Sequence, residues 1–169
     1  FSCFAKSFHY GRGSRKPQKA IIFVENGFGR GGSAFSLKVL LSALDDKYQP
    51  IIVLSNPAIQ DTTFDRQTDV PVYHLPVKPL SIRSSSLGYF FQVFYLLFLV
   101  LPYSVRFIVF CKRNHVDMVH LNNDILSHLS EILGCRLMGM PFVCYLRSTR
   151  KLTKVEKIFS KLVSQFLVL

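Results

Sequence analysis

KAIIFVENGFGRGGSAFSLKVLLSAL, residues 19–44, is the stretch on which the reading of the whole chain turns. Ile21–Val24 is a short apolar run of the kind that forms a buried strand. Gly27, Gly29, Gly31 and Gly32 then fall within six residues, where a backbone can bend sharply or lie close to a ligand. Ser33 is a natural N-cap, and Leu37, Leu40, Leu41 and Leu44 recur at helical spacing. Strand, glycine loop and helix together aim free backbone N–H groups and a positive helix end at an anion. The loop is read as facing phosphate or sugar, with a tight turn that binds nothing as the alternative.

The details of that loop separate its possible owners. Gly27-x-Gly29-x-x-Gly32 matches the dinucleotide fingerprint, but that fingerprint also requires an acid after the next strand to hold a ribose. The next strand, Pro50–Leu54, runs into Ser55-Asn56-Pro57 and offers no carboxylate. A phosphate-binding P-loop places Lys before its Ser or Thr, whereas Gly32 precedes Ser33. Both nucleotide readings are weakened.

Size and composition set the class. A chain of 169 residues suits one domain with a core of its own. It carries 21 Lys and Arg against 10 Asp and Glu, a formal charge of +11, while 49% of its residues are hydrophobic. The charge suits nucleic acid, an anionic membrane surface or an anionic substrate, and the hydrophobicity beside it favours the membrane surface. A nucleic-acid module is disfavoured, because the basic residues are scattered and no stacking-aromatic motif accompanies them. Cys3, Cys111, Cys135 and Cys144 show neither a CxxC pair nor closely spaced histidines, so neither a metal site nor a disulfide framework is indicated. Residues 1–18 read as a basic leader or tail, and residues 19–169 as the domain. The opening at Phe1 and the strand-like ending Phe166–Leu169 suggest a piece of a longer protein.

Further along, Ile51–Leu54 and Val70–Leu75 read as strands, the second with Pro71 at its start. Leu87–Cys111 has no charge between Arg83 and Arg106, and a run of about 20 apolar residues is long enough to span a bilayer. Strands before and after it belong to one sheet, which favours a helix in the membrane interface or an apolar core helix, with Pro102 dividing it. Val116–Asn122 is a nearly continuous apolar strand, as in the middle of a parallel sheet. Asp124 is placed to cap a helix with Ile125, Leu129, Ile132, Leu133 and Leu137 on one face. Gly139 ends that helix, Phe142–Leu146 forms the fifth strand, and an amphipathic helix over 154–166 follows. Strands alternating with helices indicate an α/β fold, a Rossmann-like doubly wound parallel sheet in three α/β/α layers.

In such a sheet the carboxyl ends of strands one, four and five share an edge. Gly31, Gly32, Ser33, Asn122, Asn123, Arg147 and Ser148 would then line one cleft, offering amides and a guanidinium to hydroxyl and phosphate groups. No carboxylate pair suited to glycoside hydrolysis is visible there. Glu25 reads as a surface charge or a partner of Arg30, and as a base only in second place. His120 reads as a packed core histidine, and His128 as a polar-face residue without a signal.

GGSAFSLKVLLSAL, DMVHLNN and MGMPFVCYLRST, in this order and spacing, resemble the N-terminal domain of the family-4 retaining glycosyltransferases, whose two Rossmann-like halves make the GT-B fold. The similarity runs from Lys19 to the end. It implies an acceptor-side domain that binds no cofactor alone. A nucleotide-diphosphate sugar is the implied donor, and the implied acceptor is a glycolipid or polysaccharide at the cytoplasmic membrane face. A C-terminal GT-B domain with a paired-glutamate motif is the implied partner. Many members carry histidine where Arg147 stands; arginine there implies fixed positive charge toward a departing diphosphate. The rival expectations are a Rossmann-like NAD(P)- or nucleotide-binding module and a non-catalytic membrane scaffold.

Overall fold

The computed structural model describes residues 18–26, 32–56, 69–76, 96–122, 125–146, 157, 160–161 and 165–168. Strands β1 (Lys19–Glu25), β2 (Tyr48–Leu54), β3 (Val72–His74), β4 (Val116–Asn122), β5 (Phe142–Leu146) and β6 (Gln165–Val168) form one six-stranded sheet in the order β3-β2-β1-β4-β5-β6. Every neighbouring pair is parallel. This order defines the doubly wound α/β class, with a topological switch point between β1 and β4.

Strand alternation sends successive side chains to opposite faces, so each central strand feeds two cores. Ile21, Phe23, Ile52 and Leu54 pack with Ala34 and Leu37 of helix α1 (Gly32–Ser42). Ile22, Val24, Ile51, Val53, Val119 and Leu121 face the other way. There they meet Phe107 and Cys111 of helix α2 (Leu101–Arg113), and Leu129, Ile132 and Cys135 of helix α3 (Leu129–Met138). The three α/β/α layers follow directly. Each fully buried Leu, Ile or Phe contributes about 1.5–3 kcal/mol to holding them together.

Several boundaries differ from the sequence expectation for identifiable reasons. Helix α1 is apolar nearly all round, so periodicity does not say which side faces in; Leu37 is buried while Leu40 stays exposed. Pro102 sits in the first turn of α2, where its missing N–H costs nothing, and a π turn (Leu96–Val100) leads into it. Helix α3 is preceded by a 3₁₀ turn (Leu126–His128), so its N-cap is His128 and not Asp124. Leu137, assigned to its inner face, is exposed, whereas Ser130, Glu131 and Gly134 are buried. Gly139 ends the helix at φ 63°, as its conformational freedom suggests. The leader and most of the helix expected over 154–166 lie outside the described residues, but its end is corrected: Gln165 and Phe166 belong to β6, because they pair with β5 and close the sheet.

Contact between α2 and α3 is close because Gly134 has no side chain. A Cβ built there would lie 3.2 Å from Phe107 Cδ1 and 3.4 Å from Ser104 O. Ser104 Oγ stands 2.9 Å from Val100 O and 2.8 Å from Ser130 O, so one buried hydroxyl serves both helices. Burial, reinforced by the nearby Glu131 carboxyl, pushes the Cys111 thiol up to about 12. Cys135 is raised by burial, then by Cys111 and Glu131. Both groups bind their protons more tightly folded than unfolded. The stability they contribute is complete below the ordinary thiol range and is lost as pH climbs from about 9 toward 12. Alkylation by iodoacetamide at pH 8.5, resolved by peptide mass spectrometry, should therefore be at least about a hundredfold slower at Cys111 and Cys135 in the native chain than in urea. Equal rates in the two states would contradict this packing.

Candidate functional site

The carboxyl edge of the sheet is stitched together by polar groups from three strands. Glu25 closes β1 and Asn122 closes β4, and the two are register partners across the switch point. Both are buried, at 0% and 2% exposure. The Asn122 side-chain amide donates to Glu25 Oε2. On the other flank of β1, the Ser55 backbone N–H donates to Glu25 O at 2.9 Å. One residue further on, Asn56 Nδ2 donates to Asn26 O at 3.0 Å.

A second layer supports Asn122. His128 Nε2 lies 2.8 Å from Asn122 O, and since a carbonyl only accepts, that nitrogen carries the proton. The imidazole is completely buried. The turn Leu126–His128 thus returns the chain after β4 onto the strand it has just left. At the opposite, amino edge, a register shift between Ala20 and Ile21 leaves Asp117 without a strand partner, and its Oδ2 accepts from Ala20 N–H at 2.8 Å. β1 and β4 are consequently tied by a side-chain carboxylate at each end.

These positions correct two readings of the sequence. Glu25 is no surface charge, and at zero exposure its carboxylate does not meet solvent as a general base would. His128 is not on a polar face but in the core. His120 does behave as a packed histidine, with ring centroids 5.3 Å from Phe23 and 6.0 Å from Tyr145. Nothing in the chemistry of residues 19–30 or 116–128 alone announces the Glu25–Asn122 bond, because its partners are 97 residues apart.

Of the residues singled out from the sequence, Gly32 begins α1, is exposed, and has open space where a Cβ would stand. Ser33 lies in the same first turn. Asn122 turns its amide toward Glu25, so it shapes the edge through the strand end it holds. Tyr145 of β5 is the register partner of Asn122, and Leu146 ends that strand on the same edge. Gly31, Asn123, Arg147 and Ser148 lie outside the described residues. Among the described residues no cluster of His, Cys, Asp and Glu is arranged to hold a metal ion.

Beside this edge, on the α2/α3 face, opens a shallow cleft of about 30 Å³ lined by Leu75, Tyr103, Arg106, Phe107, Ser130 and Glu131. It has room for roughly two waters. Ser130 Oγ donates to Glu131 Oε2 at 2.7 Å, and Arg106 leans over the Tyr103 ring at 5.6 Å.

The architecture is that of a Rossmann-like α/β domain. Among solved structures it is similar to the crystal structure of MurG from Acinetobacter baumannii, with a TM-score of 0.60, 14% sequence identity and 89% of this chain covered. The chain spans 41% of the MurG chain. At that identity the likeness speaks for the fold. No protein-family model and no curated protein matches the sequence.

Proposed function

We propose that this chain is the acceptor-side domain of a GT-B glycosyltransferase. In this reading the whole enzyme, and not this domain alone, transfers a sugar, with retention, from a nucleotide sugar to a lipid-linked or polysaccharide acceptor at the cytoplasmic face of a membrane. The observation that carries the reading is the likeness to MurG, a GT-B glycosyltransferase, over 89% of the chain and only 41% of that neighbour. That coverage fits one half of a two-domain fold, the other half supplying most of the nucleotide-sugar site. Gly31, Gly32 and Ser33 would face the donor phosphates and the acceptor, and Arg147 with Ser148 the departing diphosphate.

Helix α2 supports a site beside a membrane. Its outer stripe, Leu101, Val105 and Val109, is exposed, and Phe98 and Leu99 of the preceding turn extend it. Arg106, Lys112 and Arg113 flank the stripe, and no acid occurs between Asp69 and Asp117. Among the described residues no helix is long and apolar enough to cross a membrane. An apolar stripe with a cationic rim suits a helix lying on an anionic bilayer. The nicotinamide-cofactor reading finds no support at the end of β2, where Asn56 is engaged by Asn26 and no acid is present.

The test is transfer of labelled sugar from a panel of nucleotide sugars into the lipid or polymer fraction by the intact protein on anionic vesicles. Val105→Asp with Val109→Asp is expected to lower vesicle binding and transfer together, by tenfold or more in each. Absence of transfer from every donor, alongside tight binding of NAD(P), would replace this reading with its rival.

A further inference from the structure

The carboxyl edge contains a polar strut that a packed core does not require. Glu25 and Asn122 occupy positions whose neighbours in the same strands are Val24 and Leu121, fully buried and apolar. A carboxylate there costs folding free energy unless hydrogen bonds offset its lost hydration, and apolar pairs of the same volume often match or exceed such a pair in stability. What the polar pair adds is direction. An amide–carboxylate bond fixes both side-chain rotations at strand ends that the backbone ladder already holds in register, which apolar contacts would leave free to rotate.

That bond joins strands β1 and β4, paired neighbours whose following helices pack on opposite faces of the sheet at the switch point. Asn122 is held a second time, through its carbonyl, by the buried Nε2–H of His128. Glu25 is likewise held through its carbonyl by the backbone N–H of Ser55, the residue after β2. The strand tips of β2, β1 and β4 therefore form one hydrogen-bonded row, Ser55–Glu25–Asn122–His128, running across the sheet beneath the crevice where doubly wound domains bind ligands.

We infer that Glu25 is a positioning residue: by holding the Asn122 amide it fixes the side-chain conformation of the paired β1 and β4 tips, from which the chain leaves toward opposite faces of the sheet. The role in catalysis rests on the glycosyltransferase reading; the strut itself does not. Glu25 is fully buried in this arrangement. It acts through the Asn122 amide, and His128 acts through the Asn122 carbonyl.

Two measurements on the intact protein test the inference separately. The first is solvent exchange of the Asn122 side-chain amide protons, followed by NMR. In the wild type exchange should be slow; Glu25→Leu should speed it at least tenfold, and Glu25→Gln, whose amide oxygen still accepts, should return it to within about threefold of the wild type. Exchange unaffected by Glu25→Leu would overturn the strut whatever the protein catalyses. The second is the double variant Glu25→Leu/Asn122→Leu, for which thermal stability and sugar transfer are measured side by side. A positioning role gives a melting temperature equal to or above that of the wild type with kcat/KM lowered at least tenfold. A purely structural role makes activity track stability, so either full activity or a matched loss of both would overturn the inference. Should the wild type show no sugar transfer, the proposed function fails and the exchange measurement alone decides the strut.

Discussion

Asp in place of Asn122 is expected to make the folded chain lose stability as pH rises from acid to neutral, the reverse of ordinary acid denaturation. The substitution sets a second carboxyl against Glu25 in a site with 0% and 2% exposure. Two carboxyls in such contact do not both ionise, so the folded pair retains a proton that the unfolded chain releases above the ordinary carboxylate range, near pH 4. The folded state then binds more protons than the unfolded one. Stability is fully present below that range and declines above it, by as much as about 1.4 kcal/mol per pH unit while one proton is at stake. By neutral pH the variant should stand about 3 kcal/mol or more below the wild type, the scale for a buried polar pair broken on one side. Urea unfolding at pH 4.5 and 7.5 measures this. A deficit that is the same at both pH values would mean that the two side chains do not meet.

Gly134→Val is expected to have an effect of similar size for a reason that involves no charge. The missing Cβ is what lets α3 approach α2, with Phe107 Cδ1 at 3.2 Å and the Ser104 carbonyl at 3.4 Å from where it would stand. Valine adds two further carbons beyond that point. Phe107 is 3% exposed, the cleft it lines is only about 30 Å³, and a backbone carbonyl moves only with its helix. Overpacking of this kind costs about 3 kcal/mol, at the upper end of its usual range. Gly134→Ala should cost far less, because its better helix propensity, worth about 1 kcal/mol, offsets the tighter contact. Equal melting temperatures for the valine variant and the wild type would show that the helices are not held at this distance.

The sequence made the sheet legible and left much of its polar edge hidden. Val116–Asn122 is legible at both ends because a central parallel strand is apolar on both faces and polar where it stops. Strand-glycine-helix order placed α1, and Gly139 marked the end of α3. Facing was harder. Leu40 and Leu137 look like core residues in a window of helical spacing, yet both are exposed, because which side of each helix turns inward is set by the sheet it packs on. Glu25 and His128 illustrate the same limit for polar groups. A glutamate after an apolar strand reads as solvated unless its partner is known, and that partner lies 97 positions further along the chain. The π turn before Pro102 and the 3₁₀ turn before α3 leave no mark in the sequence, because each changes the hydrogen-bond spacing over a single turn without changing the apolar pattern.

The placement of β1 carries a consequence for biosynthesis. Its first neighbour, β2, emerges from the ribosome soon after it, but its other neighbour, β4, begins only at Val116. Until then one flank of this strand, apolar from Ala20 to Val24, presents unpaired amides and carbonyls to whatever is nearby. Nascent chains stopped before residue 116 should accordingly be sticky, and release from a chaperone should coincide with the appearance of the fourth strand.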